Sequence, residues 1–560
     1  MKARFWLSRM ILVLVIVAVL LPACGGTTQA PTAAPTGPTA VVPAPTQAPT
    51  QAPPPTKDPG PLTGGTLIIG RPSDSWTMDP NDTSDTESTM VANFTSEPLA
   101  RMKPGTLEVE PWLAESWTVS DDGLVWTFKL RNDVLFQDGT PFNADAVEFS
   151  FMRMVDKNHP YHKYGTWKMS SGMWDYLKDV KAISEYTVQF TLDRPWAAFL
   201  TALASSCRGG VVSPTAVKAD PEGFGKVGTS TGPFKIVEWR TDDRIVLERF
   251  DGYWGDAPYL DQIIIRVIPE NTARLLALQQ GEIHVMYGID ADIMAAVKAN
   301  SALVLYEQPG VLHGYLTGNL LRAPWDDVRV RTALFHAINR QAIVDAFYPG
   351  GTMAEGVMPT TMLGFDDSIE WPEYNPEKAR QLLAEAGYPN GFSTTLRCAN
   401  AGRTHTPEPL KVAEAIQADL AAVGIKVEII PMDSAALMTN VKAAEHDLEL
   451  AGFSPIVPDS WTVLYTQFDS RRSQLGLANN FSFYRNPEYD ALNDAADKAF
   501  DPAKRAEIYR QMQQIIRRDV VRVDLADVNA VFALRSEVRD FAATPLAYIV
   551  PNKIWLAKAN

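Results

Sequence analysis

Alternation of apolar and polar positions marks the first elements. Gly65-Thr66-Leu67-Ile68-Ile69-Gly70 reads as a strand, and residues 124–130 as a second, with Trp126, Phe128 and Leu130 on one face. Asp138-Gly139 makes a turn, after which Asn143 caps a helix carrying Ala146, Val147 and Phe149. Val188, Phe190 and Leu192 alternate again, and residues 234–239 and 245–250 form a hairpin around Thr241-Asp242-Asp243. Residues 263–268, interrupted by Arg266, have the length of a buried strand. Farther on, the period lengthens. Asn375-Pro376 opens a helix with Leu382, Leu383 and Ala386 on its apolar face and Gly387 as its stop. Leu396 and Cys398 mark a strand. A helix from about Pro409 follows, with Leu410, Ala413, Ile416, Gln417 and Leu420 on one side, Gly424 as its end, and then the alternating Ile425, Val427 and Ile429. Strand, helix and strand with short links predict a βαβ unit and a parallel sheet covered by helices. Asp501-Pro502 starts a last helix through Ile508, Met512 and Ile515, which runs into a strand at residues 520–525. The pattern as a whole is α/β, β-rich at first and helix-alternating later, without an internal repeat.

The N-terminus has another texture. Lys2, Arg4 and Arg9 precede an apolar run at residues 10–21, then Leu21-Pro22-Ala23-Cys24 and Gly25-Gly26. A basic start, a short apolar core and a small residue before the break read as a secretory signal, too short to span a membrane. The cysteine directly after the small residue resembles the lipobox of bacterial lipoproteins, which implies lipidation at Cys24; the other reading is an ordinary cleaved signal with an incidental cysteine. Residues 27–61 are almost wholly Thr, Ala, Pro, Gln and Val. Such a stretch cannot offset its ordering entropy and stays extended, reaching on the order of 100 Å at ~3.1 Å per residue. The expectation is a globular body on a tether, lipid-anchored to the outer face of the cytoplasmic membrane.

Composition narrows the function classes. The 560-residue chain leaves, behind the tether, more than one core can hold, so two or three domains are expected. Its net charge is −15, and the N-terminal segment adds only cations to that balance, which argues against nucleic acid and against an electrostatic grip on anionic lipid. Beyond Cys24 there remain Cys207 and Cys398, either one disulfide or two independent buried thiols.

Catalytic patterns fail their context tests. Gly228-Thr229-Ser230-Thr231-Gly232 satisfies the Gly-x-Ser-x-Gly spacing of a nucleophile elbow, but a strand and not a helix follows it. His159 and His162 are separated by Pro160 and have no nearby cysteine or carboxylate pair, so no metal site is expected there. His284, His313, His336, His405 and His446 are scattered. No acid, base and oxyanion site assemble, which points to a binding protein without cofactor or metal and not to an enzyme.

Four collinear stretches resemble the family 5 solute-binding proteins of bacterial ABC importers. They are Pro111-Trp112-Leu113-Ala114-Glu115-Ser116-Trp117 through Phe136-Gln137-Asp138-Gly139-Thr140-Pro141-Phe142; Thr231-Gly232-Pro233-Phe234 with Tyr253-Trp254; Asp327-Val328-Arg329-Val330-Arg331 through Ala337-Ile338-Asn339-Arg340; and Asn375-Pro376-Glu377-Lys378-Ala379 with Ala386-Gly387-Tyr388. The resemblance implies a two-lobed α/β fold of the periplasmic-binding-protein type (class II) with an additional β-rich subdomain. Expected boundaries are a signal at 1–23, a disordered tether at 24–61, a first lobe from 62–100, 230–308 and 521–560, the extra subdomain at 101–229 and a second lobe at 309–520. It further implies capture of a peptide-like or other medium-sized organic solute as the lobes close, and delivery by a monomer to the permease subunits. Peptide-binding members pair the ligand's α-ammonium with an aspartate whose place is taken here, ungapped, by Ile456; Asp459 is the candidate substitute, the alternative being a loop residue. Arg403 lies where those members hold a basic group for the ligand carboxylate, or is a solvated arginine. Trp76 and Trp461 are candidate stacking surfaces, the other reading being lobe core. Two further readings stay open: an exported serine hydrolase using Ser230, and a sensory or scaffold lipoprotein with the same fold.

Overall fold

The structure, a computed structural model, describes residues 60–168, 173–205, 207–455 and 457–557. Cys24, the tether as far as residue 59, Ile456 and the side chain of Cys207 lie outside the described residues. Cys398 is a buried free thiol.

The strands follow in chain order. β1 (Thr66–Arg71) comes first, then the short ribbon β2 (Ala100–Met102) and β3 (Val109–Pro111). β4 (Ala114–Val119), β5 (Val125–Leu130), β6 (Leu177–Ser184) and β7 (Thr187–Leu192) form a separate four-stranded antiparallel sheet in the order β4-β5-β7-β6. Next are β8 (Phe234–Arg240), β9 (Arg244–Arg249), β10 (Gln262–Val267) and β11 (Val285–Tyr287). The long β12 (Leu303–Gly318) precedes β13 (Thr352–Met353), β14 (Ser393–Ala399), β15 (Lys426–Met432) and β16 (Leu448–Phe453). A second long strand, β17 (Arg522–Arg535), is followed by the ribbon β18 (Val538–Arg539) and β19 (Trp555–Leu556). Eleven of these strands make one sheet ordered β15-β14-β16-β12-β17-β11-β1-β10-β9-β8, with β13 beside β17.

Local chemistry accounts for the separate sheet. Trp126, Phe128, Leu130, Val188, Phe190 and Leu192 are buried on the face that the alternation predicts. Asn143 caps the helix Ala144–Val155 through a 3.0 Å bond from the Ala146 amide, and that helix lays Phe151 edge-on against Phe190 at 4.9 Å. Each such ring, removed from water, stabilises the fold by roughly 1.5–3 kcal/mol relative to exposure.

The βαβ unit is β14, the helix Pro409–Ala422 and β15, with β14 parallel to both β15 and β16. Val412, Ala413, Ile416 and Leu420 are buried beneath it. Leu410, expected on that apolar face, is 42 % exposed, because the buried Pro409 and Val412 fill that end of the interface. The strand expected at 520–525 starts instead at Arg522 and runs on to Arg535; Val520 ends the helix Pro502–Asp519 with φ +42°.

β12 and β17 run antiparallel along most of their length and carry the sheet from one group of strands to the other. β17 pairs with β11 at Leu534, whereas β12 pairs with β16 from His313 to Gly318. Register shifts fall between Gln308 and Leu312 and again between Gly314 and Tyr315. Pro309-Gly310 sits in the first of them, and a Cβ on Gly310 would lie 2.3 Å from the Val528 carbonyl oxygen, so only glycine allows this approach.

Candidate functional site

The three strands β14, β15 and β16 point the same way, and a cavity of about 190 Å³ opens beside the ends of β14 and β16. Open α/β sheets collect ligands at such strand ends. Ala399 at the end of β14, the turn carrying Arg403 and His405, and Gly452 to Ser454 at the end of β16 wall it; Gln467 from the helix Ser460–Phe468 completes one side. The turn is closed by reciprocal backbone bonds between Arg403 and Thr406, at 3.0 and 3.1 Å, directly before the helix Pro409–Ala422. Gly452 is required by the same turn: a Cβ there would stand 2.0 Å from Nδ1 of His405.

Glu449 is the unusual member of this wall. It is fully buried on β16, and neither carboxylate oxygen has a hydrogen-bond partner among the described residues. Burial pushes its carboxyl up to about 8, against the pull of the Arg403 guanidinium. Arg403 itself is half-buried, and no ion pair joins the two among the described residues. Burial also holds the His405 imidazole down, to about 4, with help from the charges of Arg403 and His313. The remaining lining is largely apolar, including Leu437, Met438, Phe453 and Phe481.

Beneath the cavity the two long strands bring charges together. The His313 ring lies between Asp527 Oδ1 at 2.6 Å and Asp524 Oδ1 at 2.8 Å. Burial opposes its protonation most strongly, yet the bonds and charges of the two aspartates outweigh that and raise its pKa. Arg522 donates to Asp524 at 2.6 Å and stacks over Tyr315, whose hydroxyl donates to Gln467 at 2.5 Å. The cavity wall is thereby tied to the crossing strands.

Of the four expected contact residues, Arg403 alone lines this cavity. Asp459 and Trp461 lie together elsewhere. The Asp459 carboxylate caps the helix Ser460–Phe468 through the Trp461 amide at 2.9 Å and accepts from Thr201 Oγ1 at 3.1 Å, Arg505 at 3.2 Å and the Tyr509 hydroxyl at 3.2 Å. The Trp461 ring stacks on Tyr465 at 5.1 Å and meets Trp196 at 5.4 Å, inside an aromatic cluster continuous with the four-stranded sheet. Trp76 is 52 % exposed, with the Lys168 ammonium 4.6 Å over its ring. Glu449, His405, Gly452 and Gln467 escaped sequence reading. The available signal was one glutamate in the apolar run Leu448-Glu449-Leu450-Ala451-Gly452-Phe453, the mark of a strand buried on both faces.

The catalytic candidates have other employment. Ser230 is buried, and its Oγ donates to the Val211 carbonyl at 2.5 Å and lies 3.0 Å from the Ser96 hydroxyl, with β8 directly after the turn. His162 Nδ1 lies 3.1 Å from the Arg153 carbonyl, and the His159 ring packs edge-on against Phe149. No group of three or more potential metal ligands converges among the described residues.

Similarity to known proteins follows the whole body of the chain. The family model of the bacterial extracellular solute-binding proteins, family 5 Middle, matches residues 108–474. The chain is 36 % identical over 464 residues to the dipeptide-binding protein of Escherichia coli (strain K12), covering 80 % of this chain and 86 % of that one. It is 35 % identical over 465 residues to heme-binding protein A of Haemophilus influenzae, covering 80 % and 84 %. Among solved structures, HbpA2 from Haemophilus parasuis superposes with a TM-score of 0.83 at 30 % identity, covering 88 % of this chain and 100 % of that one. The periplasmic binding protein DppA from Helicobacter pylori, in complex with the peptide STSA, gives 0.72 at 32 % identity, covering 89 % and 99 %. With its two-lobed α/β fold and additional β-rich subdomain, the chain belongs to the bacterial extracellular solute-binding proteins, family 5.

Proposed function

We propose that this protein is the substrate-binding receptor of an ABC importer, lipid-anchored at Cys24, which captures a peptide-like or other medium-sized organic solute and delivers it to the permease. The observation that carries the reading is the cavity at the ends of β14 and β16, where the Arg403 guanidinium, the Glu449 carboxyl, the His405 imidazole and the Gln467 amide stand among apolar side chains. Solute sites have this make-up: apolar lining for affinity and a few placed polar groups for orientation. The peptide-binding relatives support the solute class. In this reading 62–100, 230–308 and 521–560 form one lobe, 101–229 its extra subdomain and 309–520 the other lobe, and solute touching both lobes favours the closed state by its differential affinity.

Thermal melting of the purified protein tests it. A true solute at about 1,000 times its Kd adds about 4 kcal/mol to the folded state and raises Tm accordingly. If libraries of peptides, oligosaccharides and metal chelates leave Tm unmoved and scattering detects no compaction, the receptor reading is wrong. Anchoring is a separate matter: Cys24→Ala should release the protein from membranes.

A further inference from the structure

The buried carboxyl of Glu449 has no partner of its own, and its surroundings indicate what is missing. Glu449 lines the cavity together with Arg403, His405, Gln467 and several apolar side chains, and neither of its buried oxygens accepts a hydrogen bond among the described residues. A buried acid in that condition destabilises a folded chain, and glutamine or leucine would fill the same space more cheaply. The Arg403 guanidinium acts on it through its charge, and no ion pair joins the two among the described residues. The volume, about 190 Å³, is below the roughly 300–1,000 Å³ of a whole-ligand pocket, so the cavity takes one side-chain-sized group of a larger solute. Leu437, Met438, Phe453 and Phe481 line the same cavity and suit the alkyl stem of such a group.

We infer that Glu449 anchors a cationic group of the bound solute, an ammonium or guanidinium on an alkyl stem, and thereby makes this receptor selective for cationic or zwitterionic solutes. The inference rests on the receptor reading above and specifies its ligand. Because burial keeps the empty carboxyl largely protonated at neutral pH, capture of the cation expels one proton to solvent and leaves a carboxylate–cation pair. The groups facing Glu449 are Arg403 and His405 from the turn, Arg397 opposite it on β14, and Tyr315 and Thr317 from β12. His405 stays neutral above about 4, and burial holds the Tyr315 hydroxyl protonated. Asp524 and Asp527 shift His313, beyond His405, toward its protonated form against the opposing effect of burial.

The test presents the full-length protein with an equimolar mixture of Ala-Lys, Ala-Arg, Ala-norleucine, Ala-citrulline, Ala-Ala and N-acetyl-Ala-Ala, read by native mass spectrometry. The wild type should retain cationic peptides at least tenfold over their neutral isosteres, and Glu449→Gln should lose that preference while still melting cooperatively. On the wild type, retention of the cationic peptide should rise by up to tenfold per pH unit between pH 6 and 8, and Glu449→Gln should flatten that rise. Equal retention of charged and neutral isosteres, or a preference that survives Glu449→Gln, overturns the inference and leaves the receptor reading standing. A pH-independent preference on the wild type overturns it as well, without relying on the variant. If neither protein retains any of the six, the inference and the peptide-receptor reading fall together.

Discussion

Two buried carboxylates, one on β16 and one at the start of the helix Ser460–Phe468, have opposite surroundings. Asp459 accepts four hydrogen bonds, from Trp461, Thr201, Arg505 and Tyr509, and so ties the helices Ser460–Phe468 and Pro502–Asp519 to the helix Phe199–Ala204. Glu449 accepts none among the described residues. Depth of burial does not separate them. What separates them is the supply of donors: a saturated buried acid holds elements together, and an unsaturated one awaits a donor from outside.

The contrast breaks most visibly at Asp459. Replacement by alanine strands the Arg505 guanidinium without its counter-charge, which should lower stability by about 3–5 kcal/mol in urea unfolding. A loss below about 1 kcal/mol would mean that Asp459 holds nothing together. Glu449→Gln should do the reverse. The folded-state pKa of this acid lies above its unfolded value, so its contribution is full below pH 4.5 and is lost as pH rises toward 8. The variant should therefore match wild-type stability near pH 4 and exceed it by about 3 kcal/mol at pH 7, at roughly 1.4 kcal/mol per pKa unit. Equal stability of the two proteins at pH 7 would show that the carboxyl is not desolvated. The smallest effect belongs to Trp76→Ala. With half its ring in solvent, it should alter stability by no more than about 0.5 kcal/mol, and a larger loss would place it in the core.

Elements with their own local signals were legible in the sequence. The caps at Asn143, Asn375 and Asp501 each accept the bond that their spacing implies. Alternation located β5, β7, β8 and β9 to within a residue or so. Of the long strands only the start of β17 was legible, for a physical reason. β12 is interrupted by Pro309-Gly310, and β17 buries Asp524 and Asp527, whose partner His313 lies more than two hundred residues away in sequence. A pattern of apolar positions registers burial against oil-like neighbours; it is blind to charges that are buried because a distant segment satisfies them. The candidate site was half legible on the same grounds. Arg403 was named on the family resemblance, just before a helix start, whereas Glu449 carried only the signal of one charge in an apolar run, which does not tell whether a distant segment partners it. Asp459, named as the substitute for the aspartate of peptide-binding members, and Trp461, named as a stacking surface, sit where tertiary contacts engage both.

Trp196 and Trp461, 5.4 Å apart at an interplanar angle of 57°, join the region of the four-stranded sheet to the helix after β16. Two indoles this close share their electronic transitions, and the shared signal depends steeply on their separation and tilt. A change in the separation of these segments would thus be written into the near-ultraviolet circular dichroism of the unlabelled protein, which makes the indole pair an optical gauge of their contact.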